Sequence, residues 1–342
     1  MTTPSCRIGR RCFVPSDVFD TYWRFAAARQ AVYEARLQGS PGPWSDDPVL
    51  QSFRFTNVFR AADRVSQFLI SDVIYDRDHN AEDLVFRTLL FKFFNRIETW
   101  EKLDRAVGPL SWRTFDLARY GSALDQLAAE GPIYSPAYVV PPPRLGAPRK
   151  HHNHLRLLQL IMDDNLARRV RNAAGLREIY DALAAYPSIG RFLAFQFTID
   201  LNYTPLTCLD EDDYVVAGPG AIDGIRKCFG PEAAGSEDAV IRYVVDTQEE
   251  HFARLGLPFG GLFGRRLHLI DAQNLFCEVD KYARVVHPEV RGASRRSRIK
   301  QRFRPVAAQL TTFFPPRWGL SVVERQRPRV EVDPHNALSV LA

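Results

Sequence analysis

The run Asp210-Glu211-Asp212-Asp213-Tyr214 sets four adjacent acids in an otherwise apolar neighbourhood. A carboxylate held against apolar surface can take a proton from a nucleophile or steady a cationic transition state, which makes Asp210, Asp212 and Asp213 catalytic candidates. The bland alternative is an acid at a turn or helix N-terminus, and spacing alone does not choose among the three. Gly218-Pro219-Gly220-Ala221 follows, before a helix expected at Ile222 to Phe229. Gly218 and Gly220 could form an anion-binding nest for phosphate or pyrophosphate, although a simple tight turn explains the pattern too. The P-loop pattern G-x-x-x-x-G-K-[ST] occurs nowhere.

Two further constellations carry polar chemistry. In Leu183-Ala-Ala-Tyr186-Pro187-Ser188-Ile189-Gly190-Arg191-Phe192 an apolar helix runs into a turn of small residues and a second helix begins at once. That is the sequence form of a helix-hairpin-helix, whose turn aims backbone N–H groups at a nucleic-acid phosphate; Ser188, Gly190 and Arg191 are the phosphate candidates, and an ordinary helical hairpin has the same outline. From Arg291 to Arg304 the chain holds seven basic residues, among them Arg295, Arg296 and Arg298, and no acid, in a chain of net charge +5. A near-neutral body with one basic strip suits a polyanion, because each arginine near a phosphate releases a condensed counterion; a solvated tail is the other reading. His151, His152 and His154 sit among Arg149, Lys150 and Arg156 with no acid or thiol nearby in sequence, which favours a basic, phosphate-facing or solvated loop over a metal site.

The elements that must position these groups are helical. Phe55, Val58, Phe59, Ala62, Val65 and Leu69 follow helical spacing and put Asn57, Arg60, Arg64 and Gln67 on the opposite face. Leu84 to Phe94 is apolar nearly all round, as a helix buried in an all-α core would be. Helices are also expected at Asp17 to Leu37, Thr114 to Ala129, His154 to Met162, Leu176 to Tyr186, Gly190 to Asn202, Glu237 to Leu255 and Leu269 to Arg284. The last carries Asp271, Asn274, Glu278 and Lys281 on one stripe, with Gln273, Asp280 and Arg284 beside it, more hydrogen-bonding groups than solubility needs. The fold expected is all-α: a single multi-helix domain over residues 13–286, an N-terminal tail at 1–12 and a basic, proline-containing extension at 287–342.

With 342 residues, 46% hydrophobic and 25% charged, the chain has the composition of a globular protein. No apolar run approaches the ~18–20 residues that span a bilayer. Five scattered cysteines without a C-x-x-C favour a reducing, cytoplasmic setting with no structural metal.

The blocks VFDTYWRFAAARQ (18–30), FTNVFRAADRVSQ (55–67), TLLFKFFNRIETW (88–100), YPSIGRFLAFQFTIDLNY (186–203), DDYVVAGPGAIDG (212–224) and DAQNLFCEVDKYAR (271–284) resemble the helical domain of the 5-hydroxymethyluracil DNA kinase family, grouped with the alpha-glutamyl/putrescinyl thymine pyrophosphorylases. The hairpin and the acids twenty residues beyond it also resemble the helix-hairpin-helix DNA glycosylases, in which an aspartate at about that distance faces the flipped nucleotide. The first resemblance implies hypermodification of thymine in DNA: a phosphorylated or pyrophosphorylated 5-hydroxymethyluracil loses its leaving group to an amine. Asp212 or Asp213 would accept the amine's proton, and Asn57, Arg60, Arg64, Gln273, Asn274, Glu278, Lys281 and Arg284 would line the substrate pocket. Two alternatives stand beside it, a monofunctional glycosylase excising a modified base and a non-catalytic DNA-binding module. The expected partners are DNA, a separate nucleotide or DNA kinase and an amine donor, with no cofactor. Ser188 departs from the usual hairpin glycine. Phe192 stands where Schiff-base glycosylases carry lysine, which excludes a lysine-based lyase there.

Overall fold

Ser16 starts the first long helix, Asp17–Leu37: its hydroxyl accepts the Val18 N–H while its own hydroxyl hydrogen goes to the Lys227 carbonyl. Asn80 caps the helix Ala81–Phe94 in the same way, accepting the Asp83 N–H at 2.8 Å, and the left-handed Asn95 ends it. Every residue from Leu84 to Phe94 is buried, Arg87 and Lys92 included, as the all-round apolar pattern predicts. The computed structural model describes residues 5–136, 139–294, 296–305, 310 and 312–320. Among them fourteen α-helices are joined by short 3-10 turns, and the one sheet is a two-stranded hairpin, Cys6–Ile8 with Arg11–Phe13. The chain is therefore all-α. The hairpin lies within what reads as a tail, and its Cys6, Ile8 and Phe13 are buried. No helix of the described residues is long and apolar enough to cross a membrane.

Helix Pro219–Phe229 lies close along Leu269–Val286. A Cβ on Gly224 would stand 2.0 Å from the Phe276 carbonyl oxygen, so glycine is what permits the approach. The pair packs on Asp17–Leu37. Leu176–Ala184 and Arg191–Asn202 pack together, and the second of them meets the buried helix Ala81–Phe94. At this junction Asp200, wholly buried, accepts an ion pair from Arg60 at 2.8 Å and another from Lys92 at 3.4 Å. Such a triad fixes register among three segments, because removing one member strands a buried charge.

Three expectations change. The stretch from Phe55 to Leu69 is no continuous helix: an extended segment leads into a 3-10 turn at Arg60–Ala62, a short helix Arg64–Phe68 and a π-helix Leu69–Ile74. The reason is long-range. The Thr56 N–H goes to Glu278, the Asn57 N–H to Asp63 and the Arg60 N–H to Asp271, so carboxylates replace the helical ladder. Second, Glu237 to Leu255 breaks at Thr247 into Glu237–Asp246 and Gln248–Arg254. Third, the basic segment is no free tail. Asp223 accepts the Ser294 N–H, Arg284 donates to the Arg298 carbonyl at 3.0 Å, and Gln301 to Phe303 pair with Ser52 to Arg54.

A candidate nucleic-acid and base site

Returning past the first helix, the C-terminal segment walls off a cleft of about 800 Å³. Arg29, Tyr33 and Arg36 enter it from one stripe of the helix Asp17–Leu37. Arg54, Asn57, Asp63 and Arg64 come from the irregular segment, and Arg302 and Arg304 from the returning chain. Six arginines thus face three acids, Asp63, Asp72 and Glu101. A second cavity of about 570 Å³ adjoins it, lined by Trp44, Leu50, Phe53, Phe55, Phe303 and prolines. The two share Arg29, Arg36, Phe55 and Phe303, so an apolar, aromatic recess adjoins a cationic cleft across a common wall.

The shared wall is electrostatically tense. Arg29 is buried; its Nη2 donates to Asn57 Oδ1, while Nη1 has no hydrogen-bond partner within the protein. Burial pulls its pKa down to about 10 against the support of Asp63. Asp63 accepts the Asn57 N–H at 2.8 Å, yet burial, only partly offset by that bond and by Arg29, pushes its pKa up to about 6. A carboxyl of that pKa beside an unsatisfied guanidinium N–H is the kind of perturbed pair that marks a functional wall. Behind Phe55, Lys281 lies 5.1 Å over the ring and bonds Glu278 at 2.7 Å, and Glu278 in turn holds the Thr56 N–H at 3.0 Å. Asn57 and Arg64 therefore line the cleft, and Glu278 and Lys281 stand behind its wall.

The remaining candidates lie elsewhere. Asp212 accepts the Leu269 N–H at 3.0 Å and bonds His268 at 3.1 Å. Burial tends to raise its pKa, but the hydrogen bond and charge of His268 with the Leu269 N–H outweigh it and hold the carboxyl low; the same partnership raises His268. Asp213 accepts the Leu176 N–H at 2.9 Å, and Asp210, exposed, accepts the Asp212 N–H. The cluster thus caps two helices, Leu269–Val286 and Leu176–Ala184, and lines neither cavity. Asp212 and Asp213 therefore share neither cavity with Asn57 and Arg64, unlike the single substrate pocket expected.

Gly218 and Gly220 have packing reasons: a Cβ would stand 2.9 Å from the Phe192 ring at the first and 2.3 Å from Cys277 Sγ at the second. Arg60 turns away from the cleft into the core, donating to Gln196 and Tyr203 beside its Asp200 ion pair. Gln273 is buried against Gln196, Asn274 is half-buried, and Arg284 pairs with Asp280, which also holds Lys227 at 3.0 Å. Ser188 adopts the left-handed conformation, φ 64°, that a glycine would take more readily. Gly190 and Arg191 are exposed at the start of their helix. Arg296 and Arg298 are exposed, and Arg295 lies outside the described residues. Arg29, Arg36, Trp44 and Asp63 carry no signal in the helical reading; an arginine and an acid in alanine-rich, apolar surroundings (AAARQ, FRAADR) were the available hints.

Comparison with known proteins bears on this geometry. A 5-hmdU DNA kinase of Bacillus phage SP10 is 29% identical over 288 residues, covering 78% of this chain and 45% of that protein, so the chain spans less than half the length of the relative. No solved structure matches. The family model described as "5-hmdU DNA kinase, helical domain" matches residues 16–292, from the first helix cap to the start of the basic strip, and the chain belongs to that family.

Proposed function

We propose that this chain grips DNA in the arginine cleft and modifies a 5-hydroxymethyluracil-derived base turned out of the duplex into the aromatic recess. The observation that supports the reading is the adjacency of the two cavities, which share Arg29, Arg36, Phe55 and Phe303 in their linings. A modified base must leave the stack before its 5-substituent can be reached, and needs an apolar slot beside a phosphate grip. The relative's name, a 5-hmdU DNA kinase, supplies the base. The phosphate or pyrophosphate ester would come from a separate kinase.

The step itself balances simply. An amine nitrogen attacks the 5-methylene carbon, the carbon–oxygen bond to the phosphate or pyrophosphate breaks, and the leaving group departs with the electron pair. Asp63 takes the proton the nitrogen loses; its pKa of about 6 keeps it mostly ionised, yet basic enough, near neutral pH. Arg29 Nη1, without a partner, donates to the oxygen that gains charge. Gly190 and Arg191, exposed at the end of the hairpin turn, add a second phosphate contact outside the cleft. Asp212 and Asp213, engaged in caps, give the excision alternative less support than the cleft gives transfer.

The test offers duplexes carrying 5-hydroxymethyluracil, its phosphorylated or pyrophosphorylated forms, or thymine, with and without candidate amines, and reads base mass. An amine-dependent gain supports transfer, an abasic product supports excision, and binding without product leaves a recruiting module. In parallel, Arg54, Arg64, Arg302 and Arg304 are changed to Ala. At roughly 0.9 per phosphate contact, the slope of log affinity against log salt flattens by up to about 3.6. An unchanged slope removes DNA from the cleft.

A further inference from the structure

We propose that Asp125, His151 and His152 form a binding site for a first-row transition-metal dication, with Zn²⁺ as its natural probe. The sequence around the histidines holds no acid, but the fold supplies one. Asp125, on helix Leu117–Glu130, faces the start of helix Lys150–Asp163, where His151 and His152 both turn their Nε2 atoms to its Oδ1, at 2.6 and 3.0 Å. The three ligand atoms lie within 4.8 Å of one another. With Zn–N and Zn–O bonds of about 2.0–2.2 Å, neighbouring ligand atoms of a tetrahedral site stand roughly 3.3 Å apart, so Asp125 Oδ1 has to move off the two imidazole nitrogens, now at 2.6 and 3.0 Å, by less than about 1 Å.

Two observations favour an ion over a plain ion-pair cluster. Asp125 Oδ1 is also 2.7 Å from Arg149 Nη1, so three nitrogens converge on one oxygen, more than its two lone pairs accommodate. An ion taking lone pairs from both imidazoles and from the carboxylate relieves that excess. Second, Gly121 sits inside the helix one turn before Asp125, where alanine would serve better by roughly 1 kcal/mol. A Cβ there would lie 2.7 Å from His152 Cε1, so the glycine seats the imidazole. Two imidazoles and a carboxylate make a donor set suited to zinc, cobalt or nickel. The site clips two helices together. It leaves further coordination positions toward Arg149, whose side chain is 58% exposed and free to swing away. None of the three ligands lines the arginine cleft, so the site stands independently of the DNA reading.

The test titrates the full chain with Zn²⁺, and with Co²⁺ for its visible ligand-field bands. One saturable equivalent is expected, with a zinc-dependent rise in melting temperature. Asp125→Asn and His152→Gln each weaken binding at least tenfold; His152 is used first because His151 is buried and its replacement could unfold the chain. Arg149→Ala tightens binding by removing the competing cation, a change a purely structural ion pair would not produce. The proposal is overturned if the wild type binds no stoichiometric metal. It is equally overturned if the Asp125→Asn, His152→Gln double variant binds as well as wild type, which would place the ion elsewhere, for example on the exposed Cys12 or Cys208.

Discussion

Replacing Asp63 by Asn keeps the shape of the side chain and its acceptance of the Asn57 N–H, but removes the charge from the wall shared with Arg29. Burial pushes the folded-state pKa from 3.8 up to about 6, so the folded protein takes the proton before the unfolded chain does. Wild-type stability is therefore fully present below about pH 4 and is lost as pH rises through about 6. At about 1.36 kcal/mol for each tenfold change in proton affinity, that rise gives an upper value of about 3 kcal/mol, and access of water from the cleft lowers it to about 1–3 kcal/mol. The support of Arg29 is already contained in that value. The expected result is an Asp63→Asn variant matching wild type near pH 4 and exceeding it by that amount at pH 8. At roughly 2.1 cal/mol/K per residue, 342 residues give about 1.4 °C per kcal/mol, or about 1–4 °C in melting temperature. Asp271, also pushed up to about 6, and His154, pulled down to about 4 by burial, titrate in the same window; the difference between variant and wild type cancels both. Turnover of the modified base falls by about 10²–10⁴, as for a lost general base. A gain in stability with a loss of activity is the signature of charge held at a working site. A variant less stable at pH 8, or a difference flat across pH 4 to 8, would refute the burial reasoning; undiminished turnover would refute the role of Asp63.

Two further outcomes test the reassigned residues. Asp212→Ala and Asp213→Ala each remove a helix cap and cost about 0.5–2 kcal/mol in urea denaturation, while DNA binding and turnover persist. The Asp212 deficit is largest between about pH 4 and 6.5: the low Asp212 pKa gives stability that is lost in acid, and the raised His268 pKa gives stability that is lost as pH climbs through it. Gly220→Ala drives a Cβ into Cys277 Sγ and costs about 1–3 kcal/mol, most of it recovered by adding Cys277→Ala. A phosphate nest at this turn would show no such dependence on Cys277.

What the local sequence encodes, it encodes well. The helix expected at Asp17 to Leu37 is found with those bounds, and the absence of a polar face between Leu84 and Phe94 identifies a helix buried along its length. Both depend on neighbours within one or two turns, where periodicity is a direct record of which face leaves water. The site escaped because its making is non-local. Phe55 to Leu69 has the spacing of a helix, yet its N–H groups are taken by Glu278 and Asp271, more than two hundred residues away. That exchange turns Arg60 inward to Asp200 and leaves Asp63 beside Arg29. Likewise, four adjacent acids read the same whether they face a substrate or cap a helix. Only the arrival of Leu176 and Leu269 with unsatisfied N–H groups decides it, because an orphan donor at a helix end must find an acceptor wherever the fold provides one.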